Sequence, residues 1–316
     1  MDAETDPNIE NTCHDNDAPF PTLFATVLNK KPHHFFFLSA MLIYVYLLFD
    51  HFQESKRRDH RDVFLFAQSE NSCYGDCVIC CLPMPFKRDH AYLMPCCTNM
   101  ICGGCFLANK KRERDDWEKR NRIGLLKYSC PFCRQPIPVT EAEFQANLVK
   151  RANEANDPAA LREVGLRLGY SKGDYATAFH YWTKAAEMGD IEAHHFLSGL
   201  YRNGEGVTRN LNKFIYHSEE ATIGGHPTAR YTLGAFEWEC GSKERAVKHW
   251  IIAANLGEDD SMKELKKGYK EGLVSKDEYT ATLRAYQTAV DAMKSPQREA
   301  ACMDCFNFGM YDYCDL

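Results

Sequence analysis

Residues 77–80 read CVIC, 96–97 read CC, 102–105 read CGGC and 130–133 read CPFC, and this stretch decides how the amino-terminal half folds. Fifteen, four and twenty-four residues separate the successive pairs. Two residues between cysteines let both thiolates turn toward one point, which suits a tetrahedral ion held through sulfur at about 2.3 Å. The eight sulfurs of Cys77, Cys80, Cys96, Cys97, Cys102, Cys105, Cys130 and Cys133 are enough for two zinc ions. A disulfide framework is the competing reading. It favours short secreted chains, and this 316-residue sequence shows no convincing cleavable signal.

The order and the gaps resemble the RING finger over residues 72–139. In that family the ligand pairs interleave, so the resemblance implies a first site of Cys77, Cys80, Cys102 and Cys105. Cys130 and Cys133 would anchor the second. The second pair departs from the common pattern, because Asn99 stands where a histidine is usual. Two repairs remain open: Cys96 with Cys97, which needs a bend because adjacent extended residues point apart, or His90 as a substitute ligand. Cys73 and Cys81 are left over and read as small, partly buried thiols.

What the resemblance implies about function is a ubiquitin ligase. A RING docks a ubiquitin-conjugating enzyme and holds its thioester in a reactive pose, a matter of positioning and electrostatics with no covalent nucleophile. The family's docking positions fall on Ile79 and Pro131, and its bridging basic residue on Arg134. A guanidinium fork suits two acceptors at once. The rival reading is a non-catalytic zinc-binding scaffold.

The segment after Cys105, NKKRERDDWEKRNR, is rich in both charges and reads as a helix continuing from Phe106 with a solvated face and Trp117 packed back on the finger. Its interleaved acidic residues, and the net charge of −6 for the whole chain, argue against nucleic acid as a partner.

Downstream the composition turns to alanine and glycine. Thr140 and Glu143 have the form of a capping box. WTKAAEMG from Trp182 returns as WIIAANLG from Trp250, with SEEATIGG from Ser218 between them. Gly189, Gly225 and Gly257 recur at 36 and 32 residues, and Gly165, Gly199 and Gly234 at 34 and 35, the period of a helix–turn–helix unit. Together with Tyr201, Gly204, Gly206 and Val207, these residues resemble Sel-1-like repeats, relatives of the tetratricopeptide family. Three repeats and a closing helix, 277–293, are expected, with Tyr279, Leu283, Tyr286, Val290 and Met293 on its packed face. Such an array is a surface for a protein partner or substrate, and His194, His195 and His249 read as structural or solvated.

The fold expected is therefore a small zinc cross-brace followed by an all-α helical-repeat solenoid, 140–295. Residues 1–34 are acidic and read as disordered. Residues 35–50 hold an uncharged apolar run, short for a span at about 22 Å of helix. A membrane anchor and a buried helix both fit it. Basic residues after the run would place the rest of the chain facing the cytosol. Residues 296–316, including Cys302, Cys305 and Cys314, read as a flexible tail.

Overall fold

The computed structural model describes residues 44, 46, 56, 59–68, 72–85, 91–120 and 126–307, with side chains described as far as Ala301. Most of the apolar run 35–50, and His90, lie outside these residues. Among the described residues no helix is long and apolar enough to cross a membrane.

The finger contains strands β1 (Ala91–Leu93) and β2 (Met100–Cys102), paired antiparallel with Leu93 opposite Met100. Helix α1 (Gly103–Lys119) follows directly, as the charge-rich segment predicted. It is buried only at its start, where Phe106 stacks on Tyr92 at 4.1 Å between ring centroids.

Among the described residues the chain continues with α2 (Glu141–Glu154), α3 (Pro158–Leu166), extended by a π-helical turn (Arg167–Ser171), α4 (Tyr175–Glu187), α5 (Ile191–Asn203), α6 (Leu211–Ile223), α7 (Pro227–Glu239), α8 (Lys243–Asn255), α9 (Asp259–Lys270) and α10 (Lys276–Ala292). Polar side chains open most of them. Asp157, Asp174, Asp190, Asn210, His226, Glu258 and Ser275 each accept a backbone N–H of the first turn. Thr140 also accepts from Glu143 N, but the Glu143 carboxylate reaches Val139 N, so that capping box is displaced by one residue.

The two glycine registers do different work. Gly189, Gly225 and Gly257 sit in turns at φ of 85°, 84° and 96°, a region that L side chains disfavour. Gly165 and Gly234 are helical instead, and they admit tryptophans. A Cβ on Gly165 would lie 2.6 Å from Trp182 Nε1, and one on Gly234 would lie 2.9 Å from Trp250 Nε1. Gly199, the middle member, has nothing within 4 Å of that position, because the residue at the tryptophan position of its repeat is Ser218. Trp182 stacks on Phe196 at 4.9 Å and donates to Arg162 O at 3.1 Å, at the centre of the larger core.

Two expectations are corrected. On α10 the buried side chain is Thr282, while Leu283 is 42% exposed; only Tyr279 and Tyr286 of the predicted face pack on the repeat core. The first part of the segment expected to be a flexible tail forms helix α11 (Pro296–Asn307), which lies against α1, while 308–316 lie outside the described residues. The reason is specific bonding. Gln297 donates to Gly104 O at 3.0 Å, and Arg298 to Pro83 O at 2.7 Å and Leu82 O at 3.1 Å.

Candidate metal centre

Three turns of one design carry three of the four cysteine pairs, and the end of β2 with the start of α1 carries Cys102 and Cys105. The octapeptides DCVICCLP (76–83), LMPCCTNM (93–100) and SCPFCRQP (129–136) each close a seven-residue pairing: Asp76 with Pro83, Leu93 with Met100, Ser129 with Pro136. Their second residues donate to equivalent carbonyls: Cys77 N to Leu82 O at 2.9 Å, Met94 N to Asn99 O at 2.9 Å, and Cys130 N to Gln135 O at 2.8 Å. Their sixth residues, Cys81, Thr98 and Arg134, all take positive φ, 55° to 61°. This left-handed step returns the chain, and in the first and third turns inner N–H groups face the sulfurs of Cys77 and Cys130.

The middle turn differs at one point. Met94, fully buried, occupies the place that Cys77 and Cys130 hold in the others. Its missing sulfur is supplied two residues later by Cys96, inside the turn 95–97. That turn is the bend that lets neighbouring cysteines face one point. Aligning the three octapeptides would have revealed this in the sequence.

The structure brings all eight cysteines together as two interleaved groups. Cys77, Cys80, Cys102 and Cys105 form one, and Cys96, Cys97, Cys130 and Cys133 the other, with the sulfurs of each group within 4.8 Å of one another. Cys80 and Cys102 sulfurs are 3.8 Å apart, Cys97 and Cys130 3.7 Å, and Cys96 and Cys133 3.2 Å. All exceed the disulfide length of about 2.05 Å. The first two match the edge of a sulfur tetrahedron around zinc, about 3.8 Å. Each group can hold a metal ion, and the donor chemistry, four thiols in a closed set, fits a structural rather than an open site.

The surroundings tune the thiols in opposite senses. Burial pushes the Cys77 thiol up, but backbone N–H groups of Cys102, Cys80 and Ile79 outweigh it and bring the pKa to about 6. Burial pushes Cys96 and Cys105 well up, so a metal bound there would displace their protons. Asn99, which sequence reasoning dismissed as a ligand, donates from Nδ2 to Cys97 Sγ at 3.3 Å. Arg298 donates to Cys80 Sγ at 3.5 Å from a helix 218 residues away. Nothing in the local sequence announces that contact.

The remaining predicted residues lie at the surface. Ile79 is 45% exposed on the first turn, Pro131 is half-buried on the third, and Arg134 is exposed just after Cys133. Cys73 is half-buried, whereas Cys81, with a left-handed backbone, is exposed. The side chains of Cys302 and Cys305, and Cys314 itself, lie outside the described residues.

The finger is fastened to the repeats through its middle turn. Thr98 Oγ1 donates to Asp157 Oδ2 at 2.7 Å, Arg151 Nε reaches the same oxygen at 2.8 Å, and Arg151 Nη1 reaches Cys96 O at 3.5 Å. Asp157 thus caps α3 and holds the second sulfur group's turn at once.

Comparison with known proteins places the array. A crystallised Sel1 repeat protein from Oxalobacter formigenes is 22% identical over 50% of this chain and 67% of its own, with a TM-score of 0.42. A protective antigen of uropathogenic Escherichia coli strains with an SLR fold is 17% identical over 53% of this chain and 48% of its own, with a TM-score of 0.33. A stretch of 136 residues, 41% of this chain, is 25% identical to chitin synthase regulatory factor 4 of Schizosaccharomyces pombe, and spans only 21% of that protein. The Sel1 repeat family model matches residues 158–190, 191–226 and 241–258, so the carboxyl-terminal region carries Sel1 repeats.

Proposed function

We propose that this chain is a RING-type ubiquitin ligase with two structural zinc ions, whose repeats recruit a substrate or assembly partner. The observation that carries the reading is the interleaving of the two sulfur groups along the chain, first pair with third and second with fourth. Zinc in such closed sulfur sites supplies folding energy and no reaction chemistry. The chain's own contribution is a surface. Ile79 offers exposed apolar area to a conjugating enzyme, and Arg134 stands free to bridge that enzyme and its ubiquitin. Reduced thiolates fit a cytosol-facing location.

The deciding experiment is autoubiquitination by the full chain with a panel of conjugating enzymes. Wild-type chain should form ubiquitin chains, and Ile79→Ala should abolish them with two zinc ions still bound. Arg134→Ala should slow discharge of the loaded enzyme while binding of the unloaded enzyme stays nearly intact. No activity in the wild type with every enzyme tested would favour the second reading, a zinc-braced scaffold. That reading has its own support in the grip of Arg298 on the first turn, which builds the finger into the rest of the molecule.

A further inference from the structure

Upstream of the finger, residues 59–65 form a helical stretch that lies on the repeats. The contacts fall at 61, 62, 65 and 66, one face of a helix, while Val63 and Phe64 point outward and are exposed. Arg61 pairs with Glu219 and, at 2.9 Å, with Glu220, both near the end of α6. Asp62 pairs with Arg245 of α8, which also meets Glu237 of α7 at 3.0 Å. Leu65 is 1% exposed. Its carbonyl accepts from Arg230 Nη1 at 2.6 Å, so a guanidinium caps the negative end of the helical turn. The Phe66 ring lies 4.6 Å from that of His249 and 4.9 Å from the Arg245 guanidinium.

The socket is specific in its demands. Arg230 is 1% exposed, and its two terminal nitrogens are given to two carbonyls, Leu65 O and Thr222 O at 3.0 Å. Burial pushes the Glu219 carboxyl up, and Arg61 opposes that shift. Emptying the socket would leave Glu219, Arg230 and Arg245 each short of a partner, and uncompensated buried charge is costly. Whatever replaces the segment must bring the same groups.

We propose that this seam of α6, α7 and α8 is a helix-binding socket, that residues 61–66 occupy it in cis, and that a partner protein enters by presenting a helix of the same pattern. The pattern is basic, acidic, two free positions, leucine, phenylalanine. The proposal rests on the reading of the repeats as a partner-binding array and is independent of ligase activity. A tethered ligand acts at an effective concentration in the millimolar range, so the cis segment sets a threshold that only a well-matched partner passes.

The test uses the full chain and a fluorescent peptide of residues 59–68. A chain carrying Leu65→Asp, checked for folding by its melting curve, should bind the peptide at least tenfold more tightly than wild type does. Adding Arg245→Glu to that chain should remove the binding, and a peptide with Asp62→Arg should restore it. A folded Leu65→Asp chain that binds no better than wild type, or a charge swap that restores nothing, would overturn the socket. Should Leu65→Asp not fold, hydrogen exchange decides: excess peptide should accelerate exchange of amides 62–66 in the wild-type chain, and unchanged rates would overturn the proposal. Peptide binding without ubiquitin transfer would sink the ligase and leave the socket standing. Normal transfer without peptide binding would do the reverse.

Discussion

The buried centre of the finger includes Cys77, Cys102, Cys105 and Cys130, so prospective metal ligands stand where a larger domain would put aliphatic side chains. The repeats place Trp182, Phe196, Leu197 and Leu200 at the corresponding depth and depend on close steric fit. The contrast follows from size. A segment the length of the finger gains only a small stability margin from its apolar core, and metal sites are a standard reinforcement. The repeats share their surfaces with neighbours and need no such aid. One part should therefore answer to metal and protons, the other to volume.

The largest effect expected is chemical. If the proposed zinc ions are bound, chelation, or Cys130→Ser, should release metal and unfold 91–102 while leaving α4 to α9 folded, because a sulfur-held zinc would contribute on the order of 10 kcal/mol per site. Metal content by native mass spectrometry, with hydrogen exchange on both regions, checks it. Loss of protection in both regions together would show that the repeats depend on the finger.

A middling effect should come from volume. Gly165→Ala and Gly234→Ala push a methyl into buried indole rings and should each destabilise the chain by about 1–3 kcal/mol. Gly199→Ala meets open space and should instead stabilise it by about 0.5–1 kcal/mol through helix propensity. Urea midpoints of the three variants read the difference directly, and equal signs would refute the tryptophan-pocket account.

The smallest loss of stability sits at the junction. Although burial raises the Asp157 pKa, hydrogen bonds from Thr98, Ala160 N and Arg151 outweigh it, and the pKa lies below the ordinary carboxylate range. A carboxylate depressed in the folded state stabilises fully above its unfolded pKa of about 3.9 and loses that contribution as pH falls through the folded value. Asp157→Ala should cost about 1 kcal/mol at neutral pH as a lost helix cap. The cost should begin to shrink below about pH 4, as the carboxyl of the unfolded chain takes up its proton, and should vanish only once pH has fallen through the lower folded value. Thermal melting of the repeats at several pH values checks this, and a cost that persists in acid would assign it to packing.

Much of this was legible in the sequence, and the reasons are local. A C-x-x-C pair fixes its own turn, and a glycine needing positive φ is visible wherever a repeat recurs. The pairing of Cys96 with Cys97 was harder, because Met94 conceals the kinship of the middle turn with the other two. The part of the tail that is described, 296–307, forms a helix where a flexible segment was expected. Arg298 gains its meaning from carbonyls of Leu82 and Pro83, more than 200 residues upstream, and no window along the chain contains both partners. The division of labour between the two glycine registers was equally hidden, since only packing distinguishes a turn glycine from one that makes room for an indole.

The grip of α11 on the first turn also has a consequence in time. During synthesis, all eight sulfurs have been made once Cys133 is joined, but Arg298 follows 165 residues later. At about 5–20 residues per second, that interval is roughly 8 to 33 seconds. Throughout it a nascent finger can take up metal and fold, yet its first turn stays unclasped and its Cys80 sulfur lacks the arginine donor. Once α11 has been made, the chain differs from the growing one at the surface that carries Ile79, so a helix made late completes a turn made early.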